Sequence, residues 1–178
     1  MNSWTRIARR IRVPVGFIFT AFYLWRARPC WISLIAGGVI VAAGVVLRAY
    51  AAGFLRKARE LTTTGPYAYT RNPLYLGSLI IAAGFVVAAC SPWIALAVAV
   101  IFAAIYVPVM MFEEQFLRSL FRGFDDYAAR VPRLLPRLST AAGPRGQFSS
   151  QLYWQHREYN AALGAAAVLA ALVVKLVW

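Results

Sequence analysis

Four stretches of this chain are too apolar and too long to be ordinary core helices of a small soluble domain. Residues 30–47, 74–90, 92–112 and 161–174 each come close to or exceed the roughly 17–20 residues a helix needs to cross the hydrocarbon of a bilayer. A fifth stretch, 13–25, is shorter and crosses only with tilt or local thinning. The composition agrees: 61% of the 178 residues are hydrophobic and 14% charged, where a soluble domain carries about 25% charged residues. The runs lack the strict alternation of barrel strands. The expected fold is therefore all-α: a polytopic membrane helix bundle of about five transmembrane helices, forming one domain over residues 1–178.

The formal charge of +13 would suit a nucleic-acid binder if it gathered on one face of a soluble fold. Here the arginines fall in blocks that flank the apolar runs, as in loops that fix orientation in a membrane. No nucleic-acid partner is expected, and the arginines are expected to meet anionic lipid headgroups instead. The loop 56–73 carries Arg56, Lys57, Arg59 and Arg71, the segment 113–158 is rich in arginine, and the link at Ser91-Pro92 carries no charge. The positive-inside rule then puts the amino terminus and both charged segments in the cytoplasm of a bacterial or archaeal inner membrane. Cys30 and Cys90 fall at the outer face, read as small packing residues with a disulfide as the alternative.

Only Ser91-Pro92 separates the third and fourth apolar runs, so 74–112 is expected to fold as a tight antiparallel hairpin. Its small residues, Ala82, Ala83, Gly84, Ala88 and Ala89 against Ala95, Ala97, Ala99, Ala103 and Ala104, would let the two backbones approach. Such a hairpin returns Glu113-Glu114 to the face where Tyr75 starts it. Residues 113–130 follow helical spacing and read as a cytoplasmic interfacial helix, ended by Pro132 and Pro136.

Polar chemistry collects at that face. Arg71 can bind a carboxylate with two parallel bonds, Asn72 offers donors and an acceptor, and Glu113 can accept from hydroxyls or sit beside a positive centre. Tyr67, Tyr69 and Tyr75 present flat faces to a ring or a cation. Gly65-Pro66 and Asn72-Pro73 fix turns. The same residues also fit blander roles, as membrane anchors, interfacial aromatics and a helix cap. Arg48 either snorkels or reaches into a site. No dinucleotide or P-loop signature and no histidine pair at metal spacing is present, and no metal is expected.

The string Gly65-Pro66-Tyr67, Arg71-Asn72-Pro73-Leu74-Tyr75-Leu76-Gly77, then Glu113-Glu114 and finally Tyr127-Ala128-Ala129-Arg130-Val131-Pro132-Arg133-Leu134-Leu135-Pro136 resembles the isoprenylcysteine carboxyl methyltransferase family, which borders the phospholipid N-methyltransferases. The similarity covers about 40–137, and leaves a C-terminal helix, about 159–177, outside it. The resemblance implies an S-adenosylmethionine pocket at the cytosolic side without a Rossmann domain. Carried over by position, cofactor contacts fall on Arg59, Leu61, Thr62, Tyr67, Asn72, Pro73, Leu74, Tyr75 and Glu113, and catalytic roles on Arg71, Asn72, Tyr75 and Glu114. Asn72 stands where the family usually has a histidine, and an asparagine cannot titrate. Val109 stands where eukaryotic members have a substrate-binding arginine, which argues against a prenylcysteine carboxylate. The expected reaction is methyl transfer to a lipid or isoprenoid-like acceptor, with O-methylation favoured. The alternatives are N-methylation of an ethanolamine headgroup and a non-catalytic membrane scaffold or transport component.

Overall fold

The computed structural model describes residues 3–56, 60–137 and 146–178, with side chains from residue 15 onward. It is helical throughout, and the described residues contain no strand. The elements are α1 (Ser3–Arg26), α2 (Trp31–Ala52), a 3₁₀ turn (Gly65–Ala68), α3 (Pro73–Ala89), α4 (Pro92–Ile101), a π-helical turn (Phe102–Tyr106), α5 (Val107–Leu120), α6 (Phe124–Arg130), α7 (Ser150–Gln155) and α8 (Tyr159–Val177). Trp31–Ala52, Pro92–Leu120 and Tyr159–Val177 are long and apolar enough to cross a membrane, and Val15–Arg26 and Pro73–Ala89 are shorter apolar helices. The chain is a membrane helix bundle.

Local chemistry sets the helix ends. Cys30 and Ser33 cap the start of α2 reciprocally, each side chain taking the other's backbone N–H, as in a capping box. Pro73 and Pro92 open α3 and α4, where a missing N–H costs nothing. The rod from Pro92 to Leu120 is continuous but widens through Phe102–Tyr106. Pro108 explains this: it cannot donate to the carbonyl four residues back and its ring crowds that carbonyl. A wider turn relieves the clash without breaking the helix.

The helices alternate in direction. One end gathers Tyr23, Leu34, Ala88, Ile94 and Leu172 from α1, α2, α3, α4 and α8 into one apolar cluster. There the Tyr23 hydroxyl donates to the Phe85 carbonyl at 2.9 Å and the Arg28 N–H to the Ala89 carbonyl at 2.8 Å. The opposite end carries the loop 53–72 and the segments after α5 and before α8.

Two expectations need correcting. The closest backbone approach of α3 is to α2, not to α4. A Cβ on Gly37 would lie 2.5 Å from the Gly84 carbonyl oxygen, and one on Gly44 would lie 2.8 Å from that of Gly77. The two glycine pairs recur seven residues apart on antiparallel rods, so each meets its partner in the same groove. Ser33 extends the seam by donating to the Ala88 carbonyl at 3.2 Å. Adjacency in sequence does not make α3 and α4 the closest pair: Gly84 and Ala88 face α2. Residues 113–130 are also not one interfacial helix. Residues 113–120 are the final turns of α5, and α6 follows a break at Phe121–Gly123.

Candidate active site

The loop between α2 and α3 runs along the end of the bundle and is stitched to the segment after α6. The Arg71 N–H donates to the Pro132 carbonyl at 2.9 Å and the Arg137 N–H to the Tyr69 carbonyl at 3.1 Å. The buried Thr70 hydroxyl lies 3.2 Å from the Arg133 carbonyl and 3.0 Å from that of Leu134. The Tyr127 hydroxyl donates to the Tyr67 carbonyl at 2.7 Å. The first and third sequence motifs thus meet in space, joined by backbone groups and two hydroxyls.

Glu114 is the hub. It is buried, and its Oε1 accepts from Asn72 Nδ2 at 2.8 Å, while Asn72 Nδ2 also reaches the Arg133 carbonyl at 3.0 Å. Its Oε2 accepts from Arg133 Nε at 3.0 Å and lies 3.6 Å from Arg71 Nη1. A buried carboxylate held by two guanidiniums and an amide is a structural anchor. Arg133 was legible as part of the third motif but not as a site group, since nothing local shows that it turns back onto Glu114.

Beside this hub lies a cavity of about 540 Å³, within the range of about 300–1,000 Å³ typical of small-molecule sites. Leu61, Thr62, Tyr67, Arg71, Asn72, Glu113 and Glu114 line it, joined by Phe112, Phe124 and Tyr127. Glu113 is exposed on its wall, while neighbouring Glu114 is buried. Pro73, Leu74 and Tyr75 stand outside the lining. Pro73 is buried at the helix start and Leu74 packs on Ala51, Phe54 and Tyr67. Tyr75 packs with Ile105 and Val109, and its ring meets Tyr106 edge-on at 6.1 Å. Arg59 falls outside the described residues.

Two polar atoms at the cavity are buried without a partner: Tyr67 Oη and Arg71 Nε. Tyr67 is 6% exposed. Burial above all, with Tyr127, Glu158 and Glu113 adding to it and Arg48 opposing, holds the Tyr67 phenol far above its ordinary range. It is a neutral hydroxyl at any physiological pH. Buried polar groups are normally bonded because an orphan costs about 1–3 kcal/mol. Both orphans belong to residues that line the same cavity, so a ligand seated there could satisfy them after a small side-chain shift. One donor of a guanidinium and one phenol suit a carboxylate or hydroxyl, and Glu113 suits a cationic or hydroxylated group; S-adenosylmethionine carries all of these. Among the described residues, no group of three His, Cys, Asp or Glu side chains could hold a metal ion.

Arg48 is assigned by the structure as well. Its Nε and Nη2 donate to the two oxygens of Glu158, each at 3.0 Å, and Nη1 reaches the Leu74 carbonyl at 3.2 Å and the Ser78 hydroxyl. It neither snorkels nor lines the cavity.

Comparison with known proteins adds three findings. The family model for phospholipid methyltransferase matches residues 30–123, just over half of the chain. The nickel-cobalt-cadmium resistance protein NccN of Alcaligenes xylosoxydans xylosoxydans is 39% identical over 135 residues, covering 72% of this chain and 63% of that protein. The cobalt-zinc-cadmium resistance protein CzcN of Cupriavidus metallidurans is 34% identical over 139 residues, covering 74% and 64%. The chain therefore spans less than two thirds of the length of these relatives. No solved structure matches it.

Proposed function

The chain belongs to the phospholipid methyltransferase family, within the isoprenylcysteine carboxyl methyltransferase-like group of membrane methyltransferases, and from that premise we propose that it transfers a methyl group from S-adenosylmethionine to a lipid acceptor at the cytosolic membrane face. The observation that carries the proposal is a cavity of small-molecule size, lined mostly by residues of the matched region, among them Tyr67 and Arg71, each of which carries a buried polar atom without a partner.

Arg71 and Tyr67 would hold the carboxylate of the cofactor, with Glu113 facing its amino or ribose groups. When bound, the cofactor supplies an electrophilic methyl on a sulfonium. Phe112, Phe124 and Leu117 exclude water from the cavity wall, so fixed dipoles there act in a low-dielectric setting. Transfer needs the acceptor oxygen or nitrogen in line at about 3–3.5 Å. Glu114 holds the two arginines and Asn72 in register. A carboxylate acceptor needs no base, which favours O-methylation. Val109 is buried against Ile105 and gives an acceptor carboxylate no cation at that position. A narrower cleft of about 150 Å³ between α1 and the α3–α4 hairpin, lined by Val15, Phe19, Val98 and Ile101 with Ser78 and Tyr106, suits the hydrocarbon chain.

N-methylation of an ethanolamine headgroup is the second reading. It is favoured by the name of the matched family and by Glu113, an exposed carboxylate on the cavity that would attract an amine. The relatives' names speak of metal resistance; for this chain we infer a contribution through altered lipid headgroups rather than through metal carriage.

Calorimetry with S-adenosylhomocysteine on folded, detergent-purified protein tests the cofactor site: binding in the micromolar range is expected, and none at high micromolar ligand refutes the proposal. Incubation with methyl-labelled cofactor and extracted membrane lipid tests transfer. Label released as methanol by alkali identifies an ester, and label recovered in an N-methylated ethanolamine headgroup after hydrolysis identifies N-methylation.

A further inference from the structure

We propose that Glu158, at the head of α8 and outside the family-matched region, is a positioning residue of the transfer site that acts through Arg48 on the first turn of α3. The proposal rests on reading the cavity beside Glu114 as the methyl-transfer site.

Arg48 sits in the last turns of α2, where an unpaired cation at membrane depth would be costly. Glu158 takes one edge of its guanidinium with both oxygens, at 3.0 Å each. That fork-to-fork contact fixes the plane of the guanidinium. The remaining nitrogen, Nη1, is thereby aimed at α3, where it donates to the Leu74 carbonyl at 3.2 Å and to the Ser78 hydroxyl. Ser78 in turn donates to Leu74 at 3.0 Å. Gly77 makes room: a Cβ there would meet Arg48 Cγ at 2.6 Å. The clamped turn begins one residue after Asn72, whose amide holds Glu114, and follows Arg71. Glu158 and Arg48 also act electrostatically on the Tyr67 phenol, in opposite senses.

A second grip lies upstream in the same segment. The Ser149 N–H donates to the Gly53 carbonyl at 2.9 Å, and the Phe148 ring stacks on Tyr50 at 6.1 Å and meets Phe54 edge-on. Residues 146–158 thus hold the loop that carries Leu61, Thr62, Tyr67, Arg71 and Asn72 where it leaves α2 and where it enters α3. A helix that only anchored the chain in lipid would need neither contact.

The test uses full-length protein, S-adenosylhomocysteine calorimetry and labelled methyl transfer into extracted lipid. Glu158→Gln keeps the shape but removes the charge. It should cut the transfer rate about 100-fold, the scale of an ångström-sized misplacement, and weaken S-adenosylhomocysteine binding several-fold. The swapped pair R48E/E158R re-forms the ion pair but carries no donor toward Leu74. It should recover thermal stability relative to E158Q without recovering the rate. Should the charge variants fail to fold, Ser78→Ala leaves the Arg48–Glu158 pair intact and should slow transfer and weaken S-adenosylhomocysteine binding together, whereas an effect through the acceptor cleft that Ser78 also lines would raise the acceptor KM alone. Wild-type rate and affinity in E158Q, full activity in the swapped pair, or full activity or a raised acceptor KM alone in S78A would each overturn the positioning role while leaving the site assignment in place. Absence of S-adenosylhomocysteine binding in the wild type would instead overturn the site assignment, and the positioning role with it.

Discussion

At Tyr67 stability and function should move in opposite directions. Its hydroxyl is buried with no partner, so Tyr67→Phe removes a desolvated polar atom without opening a void. The thermal midpoint of the ligand-free variant should stay level or rise slightly, while S-adenosylhomocysteine affinity falls about tenfold, the worth of one hydrogen bond to a charged group. A variant less stable than wild type with unchanged affinity would show that Tyr67 serves packing alone. Glu114→Gln should behave differently. It leaves Arg71 and Arg133 facing each other without their carboxylate. A fully buried broken pair costs roughly 3–5 kcal/mol, and the partial exposure of Arg133 reduces this to about 2–3 kcal/mol. The loss should appear as a lowered thermal midpoint even without ligand. The tyrosines also set an alkaline limit. Burial is the largest cause raising both Tyr67 and Tyr127 above the ordinary phenol value. Above about pH 10 the unfolded chain releases phenolic protons that the folded chain retains. The unfolded state then binds fewer protons, so their contribution is complete below about pH 10 and is lost as the pH rises further. A pH series of thermal midpoints should be flat from neutral to about pH 10 where these groups dominate. Replacing both by Phe should flatten the alkaline limb.

At the scale of helices the decisive contact is the glycine seam between α2 and α3. Gly37→Ala would place a methyl 2.5 Å from the Gly84 carbonyl oxygen, and backbone must shift to admit it. Overpacking of this kind costs about 1–3 kcal/mol. Gly38, one residue on, has nothing within 4 Å, so Gly38→Ala should be neutral or raise the midpoint slightly through lower chain entropy. Equal losses in the two variants would mean the seam is not a close-packed interface. The contrast also shows where sequence reading stops. The apolar runs, the proline start of α3 and the return of Glu113-Glu114 to the end where α3 begins were legible, because length and a two-residue link leave a hairpin no alternative; that Glu114 would bond Asn72 was not. The partner of Gly84 was not: small residues announce that something approaches closely, but not which helix. Glycines seven apart at 37 and 44, and again at 77 and 84, were the signal that could have named it. The widened turn at Phe102–Tyr106 was written in Pro108, which an apolar-run analysis passes over because proline interrupts neither length nor hydropathy there.

At the scale of the whole molecule, the site was legible as a set of motifs but not as a set of roles. Glu113 and Glu114 are adjacent in sequence and opposite in fate: one faces the cavity, and the other disappears beneath Arg133. Consecutive residues on a helix point about 100° apart, and only the packing of the segment after α6 decides which carboxylate it covers. The C-terminal helix showed even less, since Arg48 and Glu158 are 110 residues apart and no local pattern joins them. What sequence does supply is an expected orientation. Among the described residues Arg56, Arg71, Arg118, Arg130 and Arg133 lie at the cavity end of the bundle, while Cys30 and Cys90, both exposed free thiols, lie at the other end with Arg26 and Arg28. An S-adenosylmethionine enzyme needs its cavity on the side where the cofactor is made, which requires the thiols to face outward. A membrane-impermeant maleimide applied to intact spheroplasts should label the wild type and not the C30S/C90S variant. A thiol introduced at Gln147 in that variant, beside the cavity loop, should react only after the membrane is opened. Labelling in the reverse order would put the cavity outside, away from any supply of cofactor, and a methyl-transfer reaction there would have no donor.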